Sequence, residues 1–165
     1  MLDPLEPLDD GAALRRTYGC FPTGVAAVCG LRDGAPDGMA ASSFTAVSLD
    51  PPLVSVCVQN TSSTWPRLRG LPRLGVSVLA ETHDRDCAAL SSAQGDRFDG
   101  VGWDATAEGA VFVDGSAAWL ECAVEDEVPA GDHIIALLRI LATRTELHIP
   151  PLVFRGSRFR LLAAR

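Results

Sequence analysis

Three short stretches carry side chains whose type and spacing could do chemistry. In Ala41-Ser42-Ser43-Phe44, small and hydroxylated residues stand where an extended run gives way to a loop. Backbone N–H and C=O groups can come close to a flat ring there, and a serine hydroxyl can add a donor or an acceptor. An ordinary Ser/Thr-rich turn has the same composition. Gln59-Asn60-Thr61-Ser62-Ser63-Thr64 leads into a short helical stretch that has Pro66 near its start and Gly70 and Pro72 behind it. Its N–H groups and hydroxyls converge where a helix start favours an anion such as a phosphate. Ser62 or Ser63 can equally cap that helix, and the two roles are compatible. No lysine is present, so backbone donors must do more. Gly131-Asp132-His133 opens a strongly apolar run, which puts His133 at the mouth of a strand. A lone histidine is by itself more often a structural hydrogen-bonding residue than a catalytic one.

Other patterns lead nowhere. Gly100-Val101-Gly102-Trp103-Asp104-Ala105 formally fits a dinucleotide fingerprint, but no buried strand precedes it and no helical run follows, so it reads as a loop. His83, Asp84, Asp86 and Cys87 carry metal-capable atoms, yet acids at a helix start are explained by capping and dipole effects, and no metal is assigned. There is no G-x-S-x-G elbow and no phosphate-binding G-x-x-x-x-G-K-[ST] loop, which removes the main support for hydrolase and nucleoside-triphosphatase readings.

The elements that must position these stretches are mostly strands. Short β-branched apolar runs at 25–29, 53–58, 76–79, 117–124 and 134–141 are bounded by turn residues. Asp33-Gly34 and Asp114-Gly115 are hairpin signals, because glycine accepts the positive φ of tight primed turns. The sheet is therefore expected to be mostly antiparallel. Short helices are expected at 9–18, with acids early and arginines late and Gly19 as its stop; after Ser63-Thr64, spanning barely two turns; and after Thr82. Many short strands with few helices favour a closed barrel over a sandwich, since closure removes strand edges.

Length and composition bound the rest. The chain has 165 residues, the size of one domain, with 47% hydrophobic and 21% charged residues, which is ordinary for a globular protein. Its formal net charge of -7 repels nucleic acid and anionic membrane. No run approaches the roughly 20 apolar residues of a membrane span, and residues 1–10 lack the features of a signal peptide, so a cytoplasmic protein is expected. The five cysteines are odd in number and form no C-x-x-C pair, which argues against a disulfide framework. Cys29, Cys57 and Cys122 lie within largely apolar runs and read as core residues.

The ordered motifs Phe21-Pro22-Thr23-Gly24-Val25, the run at 38–54 ending in Pro51-Pro52-Leu53-Val54, Val76-Ser77-Val78-Leu79, Asp96-Arg97-Phe98, Trp119-Leu120-Glu121-Cys122 and Gly131-Asp132-His133 span nearly the whole chain. Together they resemble the short-chain flavin reductase family that supplies reduced flavin to two-component monooxygenases. The resemblance implies a mostly β, antiparallel FMN-binding split barrel with short flanking helices, comprising an N-terminal segment and helix at 1–20 and a reductase domain at 21–165. It implies an NAD(P)H:flavin oxidoreductase using FMN or FAD with NADH or NADPH, a homodimer, delivery of reduced flavin to a separate monooxygenase, and no nucleic-acid or membrane partner. Carried over by residue, flavin is expected at Thr23, Ala40, Ala41, Ser42, Ser43, Gln59, Asn60, Ser62, Ser63 and Thr64. Thr23, His133 and Phe159 are expected at the nicotinamide, with His133 orienting it. The chain departs from the family pattern at Ala40-Ala41, where a hydroxyl is lost, at Ala136-Leu137-Leu138, where relatives carry a glycine, and at Phe159, where they carry tyrosine. A flavin carrier or sensor and a relative of pyridoxamine-phosphate oxidase are the rival readings on the same barrel.

Overall fold

The computed structural model of the chain describes Leu5 and residues 11–162. In chain order the elements are α1 (Gly11–Tyr18), β1 (Thr23–Gly24), β2 (Ala26–Arg32), β3 (Ala35–Ala41), β4 (Thr45–Leu49), β5 (Pro52–Gln59), α2 (Trp65–Leu68), β6 (Leu74–Val78), α3 (Asp84–Leu90), β7 (Trp103–Ala105), β8 (Val111–Val113), β9 (Ala118–Ala130), β10 (His133–Thr145), β11 (Val153–Arg155) and β12 (Arg158–Arg160). All strand pairs are antiparallel.

Seven strands form the main sheet in the order β3-β2-β6-β9-β10-β5-β4. Its two outermost strands, β3 and β4, are consecutive in the chain and joined only by residues 42–44. A flat sheet of this width would hold those edges nearly 30 Å apart at about 4.8 Å per strand, whereas the link can span no more than about 15 Å. The sheet must therefore coil until its edges approach. That coiling makes a barrel with one split seam, and Ser42-Ser43-Phe44 crosses the seam. Ser43 fastens the crossing: its Oγ accepts from the Cys57 N–H at 2.9 Å and donates to the Cys57 carbonyl at 3.1 Å.

Alternation along β2 serves two cores. Ala26 and Val28 face a cluster with Val54, Val56 and Val58 of β5, Leu74 and Val76 of β6, and Ala136 and Leu138 of β10. Ala27 and Cys29 face a second cluster built with Leu79, Leu90 of α3, Val111 and Val113 of β8, and Leu152. Gly75 is required where β8 crosses β6, because a Cβ there would lie 2.0 Å from the Val111 carbonyl oxygen.

The Asp33-Gly34 hairpin is formed, with φ of 51° and 80° between the paired Arg32 and Ala35. Asp114-Gly115 is not a hairpin between neighbours: the turn reverses the chain from β8 to β9, but β8 pairs with β7 and β9 pairs with β6 and β10. Residues 97–100 form a turn and β7 follows, with no helix after the Gly100–Ala105 pattern. Helix α2 is a single turn, shorter than expected. Asp9 and Asp10, expected to begin α1, lie outside the described residues. Cys29 and Cys122 are buried as expected, whereas Cys57 is exposed, since Val54, Val56 and Val58 take the inward phase of β5.

Candidate functional site

A cavity of about 520 Å³ opens at the seam. Its wall includes Ala40, Ala41, Ser42 and Ser43 from the β3–β4 crossing and Cys57, Val58 and Gln59 from the end of β5. Ser62, Ser63 and Thr64 before α2, Arg97 from the loop after α3, and His133 at the start of β10 also line it. Residues far apart in sequence meet because strand registry delivers them: His133 pairs across the sheet with Gln59 on one side and Ala130 on the other. The two-residue turn Gly131-Asp132 that begins β10 has Gly131 at φ 67°, as a tight hairpin loop of this length needs.

Several expected side chains have defined partners. Ser62 braces the start of α2 from two residues before its N-cap Thr64, its Oγ accepting from the Trp65 N–H at 3.1 Å and the Thr64 N–H at 3.3 Å. Ser63 is exposed, and its carbonyl accepts from Arg67. Asn60 does not line the cavity: its amide donates to the Gly131 carbonyl at 3.2 Å and its N–H to the Asp132 carbonyl at 2.9 Å, so it braces the β9–β10 turn. Ser43 spends its hydroxyl on Cys57, leaving backbone groups as its contribution to the wall. Thr23 lines neither this cavity nor the next; it sits on β1 opposite Phe154. Phe159 lines an adjoining recess of about 250 Å³ with Phe154, Cys87 and Ser91, and that recess shares Ala40, Ala41 and Ser42 with the main cavity. The two rings pack with centroids 5.6 Å apart.

Arg97 is the site residue that reading the sequence for chemistry missed, although it lies in one of the recognised motifs. Its Nε donates to the Ser92 carbonyl at 2.6 Å, and its Nη1 to the Gly38 carbonyl at 2.9 Å and to Thr64 Oγ1. Among the described residues no carboxylate pairs with it, so a positive charge stands uncompensated beside Ser62-Ser63-Thr64. That charge, rather than the dipole of a one-turn helix, makes this end of the cavity suited to a phosphate.

At the other end, His133 is half-buried and its Nδ1 lies 2.7 Å from Asp132 Oδ1. Contact with His133 first, and with more distant charge including Arg15, holds the Asp132 carboxyl below its ordinary range. A second pair sets the frame: Arg67 of α2 grips Asp37 of β3, with Nη2 2.9 Å from Oδ1, and holds that carboxyl low despite its burial.

Comparison with known proteins decides the family. Residues 18–163 match the flavin reductase like domain. The chain belongs to this family. It is 41% identical over 167 residues to the NADH-dependent FAD reductase of Streptomyces globisporus, covering 97% of this chain and 91% of that protein. It is 37% identical to the actinorhodin polyketide dimerase of Streptomyces coelicolor, over 94% of this chain and 88% of that one. Among solved structures, the Streptomyces globisporus NADH:FAD oxidoreductase in complex with NAD and FAD fragments superposes with a TM-score of 0.89 at 38% identity, covering 96% of this chain and 98% of that chain. The flavin reductase component of a bacterial two-component tryptophan halogenase gives 0.84 at 34% identity, covering 94% and 100%. The coiled antiparallel sheet with short helices is thus the fold of the flavin reductases.

Proposed function

We propose that this chain is an NAD(P)H:flavin oxidoreductase that reduces FMN or FAD and hands the reduced flavin to a separate monooxygenase. The observation that carries the reading is the pair of adjoining recesses that share Ala40, Ala41 and Ser42 as a common wall. The larger suits a flavin. Backbone groups at 40–43 and Gln59 meet the ring, while Ser63, Thr64 and Arg97 hold the phosphate. The smaller, with Phe154, Phe159 and small side chains, suits a nicotinamide. A bound flavin supplies the acceptor for hydride. The chain's own part is to stack and align the two rings and to keep water from the contact, with His133 orienting the nicotinamide; transfer of a hydride needs alignment more than an acid or base.

We assign this activity to a domain at 21–165, to which the described helix α1 is tied through the Gly156 N–H donating to the Gly19 carbonyl. We include a homodimer in the reading, supported by exposed apolar side chains, Val47 and Leu49 on the edge strand β4 and Leu141 on the interior strand β10. A cytoplasmic location is also included; unpaired thiols suit a reducing compartment. Among the described residues no helix is long and apolar enough to cross a membrane.

The test is anaerobic mixing of protein and flavin with NADH or NADPH, following loss of oxidised-flavin absorbance, with FMN and FAD in parallel. Reduction at catalytic protein concentration supports the reading. Stoichiometric flavin binding without turnover would make the chain a carrier or sensor instead.

A further inference from the structure

β9 carries a carboxylate where its alternation calls for an apolar side chain. Along this strand Cys122 belongs to the first core, and Leu120 and Val124 pack against it. The register against β10 then skips Glu125, pairing Leu138 with Val124 and Leu137 with Asp126, and Glu127 comes to stand opposite the buried Ala136, on the core side. A carboxylate in such a place is costly unless it is paired. Glu127 is paired twice, and both partners belong to α2. Its Oε1 accepts from the indole Nε1 of Trp65, the first residue of the helix, and its Oε2 meets the guanidinium of Arg69, the C-cap residue. Trp65 is itself buried in the first core, where an indole N–H needs an acceptor, and Glu127 supplies it.

Helix α2 is a single turn that follows directly on Ser62-Ser63-Thr64. Side chains bind it to that stretch: Ser62 Oγ accepts from the Trp65 N–H at 3.1 Å, and Arg67 Nη1 donates to the Ser63 carbonyl at 2.5 Å. Arg67 also ties the helix to Asp37 of β3. Upstream, Asn60 is fastened to Gly131 and Asp132 in the turn of the β9–β10 hairpin. Residues 60–69 are thus anchored at both ends to one hairpin, through Asn60 at its turn and through Glu127 further along β9, and that hairpin also carries His133. The phosphate end of the cavity lies between the two anchors. One helical turn has too few hydrogen bonds of its own to hold a position, so the anchors decide where the stretch sits. Glu127 lines neither the cavity nor the adjoining recess and acts only through α2. From its double grip on Trp65 and Arg69, we propose that Glu127 is a positioning residue for the flavin phosphate, holding Ser62-Ser63-Thr64 in fixed relation to the hairpin that carries His133. This role rests on the reductase reading.

FMN, FAD and riboflavin share one ring system, and riboflavin lacks the phosphate. Fluorescence titration of all three tests the role in the parent, Glu127→Gln, Arg69→Gln, Arg69→Lys, Trp65→Phe and the control Glu125→Gln, a carboxylate of the same strand whose partner is Arg139. Glu127→Gln should raise Kd for FMN and FAD about tenfold, the scale of one charged hydrogen bond to phosphate, and leave that of riboflavin within about twofold. Trp65→Phe removes the indole donor and should show the same split. Arg69→Lys keeps the charge and should stay nearer the parent than Arg69→Gln. Losses in the Glu127→Gln, Arg69→Gln double variant should fall short of additive, because both changes break one contact. Glu125→Gln should move none of the three affinities. Equal losses for FMN and riboflavin in Glu127→Gln would overturn the proposal, since a carboxylate that merely supports the fold disturbs ring and phosphate alike. Unchanged FMN and FAD affinities would overturn it too. If Glu127→Gln does not fold, the exposed Arg69 carries the same comparison, and an unaltered preference for FMN over riboflavin in Arg69→Gln counts equally against the role. A parent that binds none of the three flavins sinks the reductase reading and this role with it; a parent that prefers FMN, with variants that keep the preference, sinks this role alone.

Discussion

Arg97 donates from Nη1 to Thr64 Oγ1 across 33 residues of sequence, tying the loop after α3 to the segment before α2. The same guanidinium also holds Gly38, so one side chain joins β3 to both loops around the cavity. Arg97→Lys keeps the charge but loses the planar fork. It should weaken FMN and FAD binding by about tenfold, from lost geometry, and Arg97→Met by up to about a hundredfold. Fluorescence titration of each flavin checks this; equal affinities in parent and Arg97→Met would take Arg97 out of the phosphate end.

The two adjacent serines should behave differently. Ser62 accepts from the N–H of Trp65, the first residue of α2, and from that of Thr64, so Ser62→Ala should cost about 1 kcal/mol of stability. Among the described residues the exposed Ser63 makes no side-chain hydrogen bond, so Ser63→Ala should leave the melting temperature alone and weaken flavin binding. Thermal melts beside flavin titrations separate the two. A stability loss confined to Ser63→Ala would reverse the assignment.

The reason some of this was legible in sequence and some was not is local against long-range coupling. The β2, β5, β6, β9 and β10 strands announce themselves by β-branched apolar runs, and Asp33-Gly34 by the positive φ its turn needs. Asp114-Gly115 announces a turn equally well, but which strands then pair is decided by packing elsewhere in the barrel. Cys57 has apolar neighbours on both sides, and only the period of two along β5 turns it outward. Arg97 escapes for a different reason. Its partners lie 33 and 59 residues away, and no local pattern marks a guanidinium that three separate segments will converge on.

The Asp37–Arg67 pair should make part of the stability acid-sensitive. Burial opposes ionisation of Asp37, but the Arg67 guanidinium wins and its pKa lies below the ordinary value. A carboxyl depressed by folding adds stability at pH above its unfolded pKa of about 3.9, and that contribution drains away as pH falls toward the lower folded value. Asp37→Asn should therefore cost on the order of 1–2 kcal/mol at pH 7, between the worth of an exposed pair and a buried one. The gap between variant and parent should close as pH drops below 4. Urea unfolding at a series of pH values measures it, and a gap independent of pH would rule out the ion pair as its origin.

Thiol chemistry offers a probe of the cavity that needs no turnover. Cys29 and Cys122 are buried, and burial pushes both thiols up to about 12, which keeps them inert. Cys20 and Cys57 are exposed, and Cys57 lines the main cavity. A thiol reagent should label both in the free protein, and saturating flavin should protect Cys57 while leaving Cys20 reactive. Peptide mass mapping reads the two sites. Undiminished labelling of Cys57 at saturating flavin would place the flavin elsewhere.

His133 is the sharpest test of how the site works. It faces Gln59 across the sheet and holds Asp132 at 2.7 Å, an arrangement that fixes its ring at the cavity mouth. If its role is to set the nicotinamide against the flavin, His133→Asn should lower kcat/KM for NADH on the order of a hundredfold, the scale of misaligned stacking, while flavin affinity barely moves. Asp132→Asn should give a smaller loss of the same kind, since it removes the partner that orients the ring and leaves the ring itself. Stopped-flow reduction of bound flavin across pH 6 to 9 distinguishes orientation from proton donation. An orienting histidine leaves a residual rate in His133→Asn that varies little with pH. Complete loss in the variant, with a parent rate that falls through a single step as pH rises, would make His133 a proton donor.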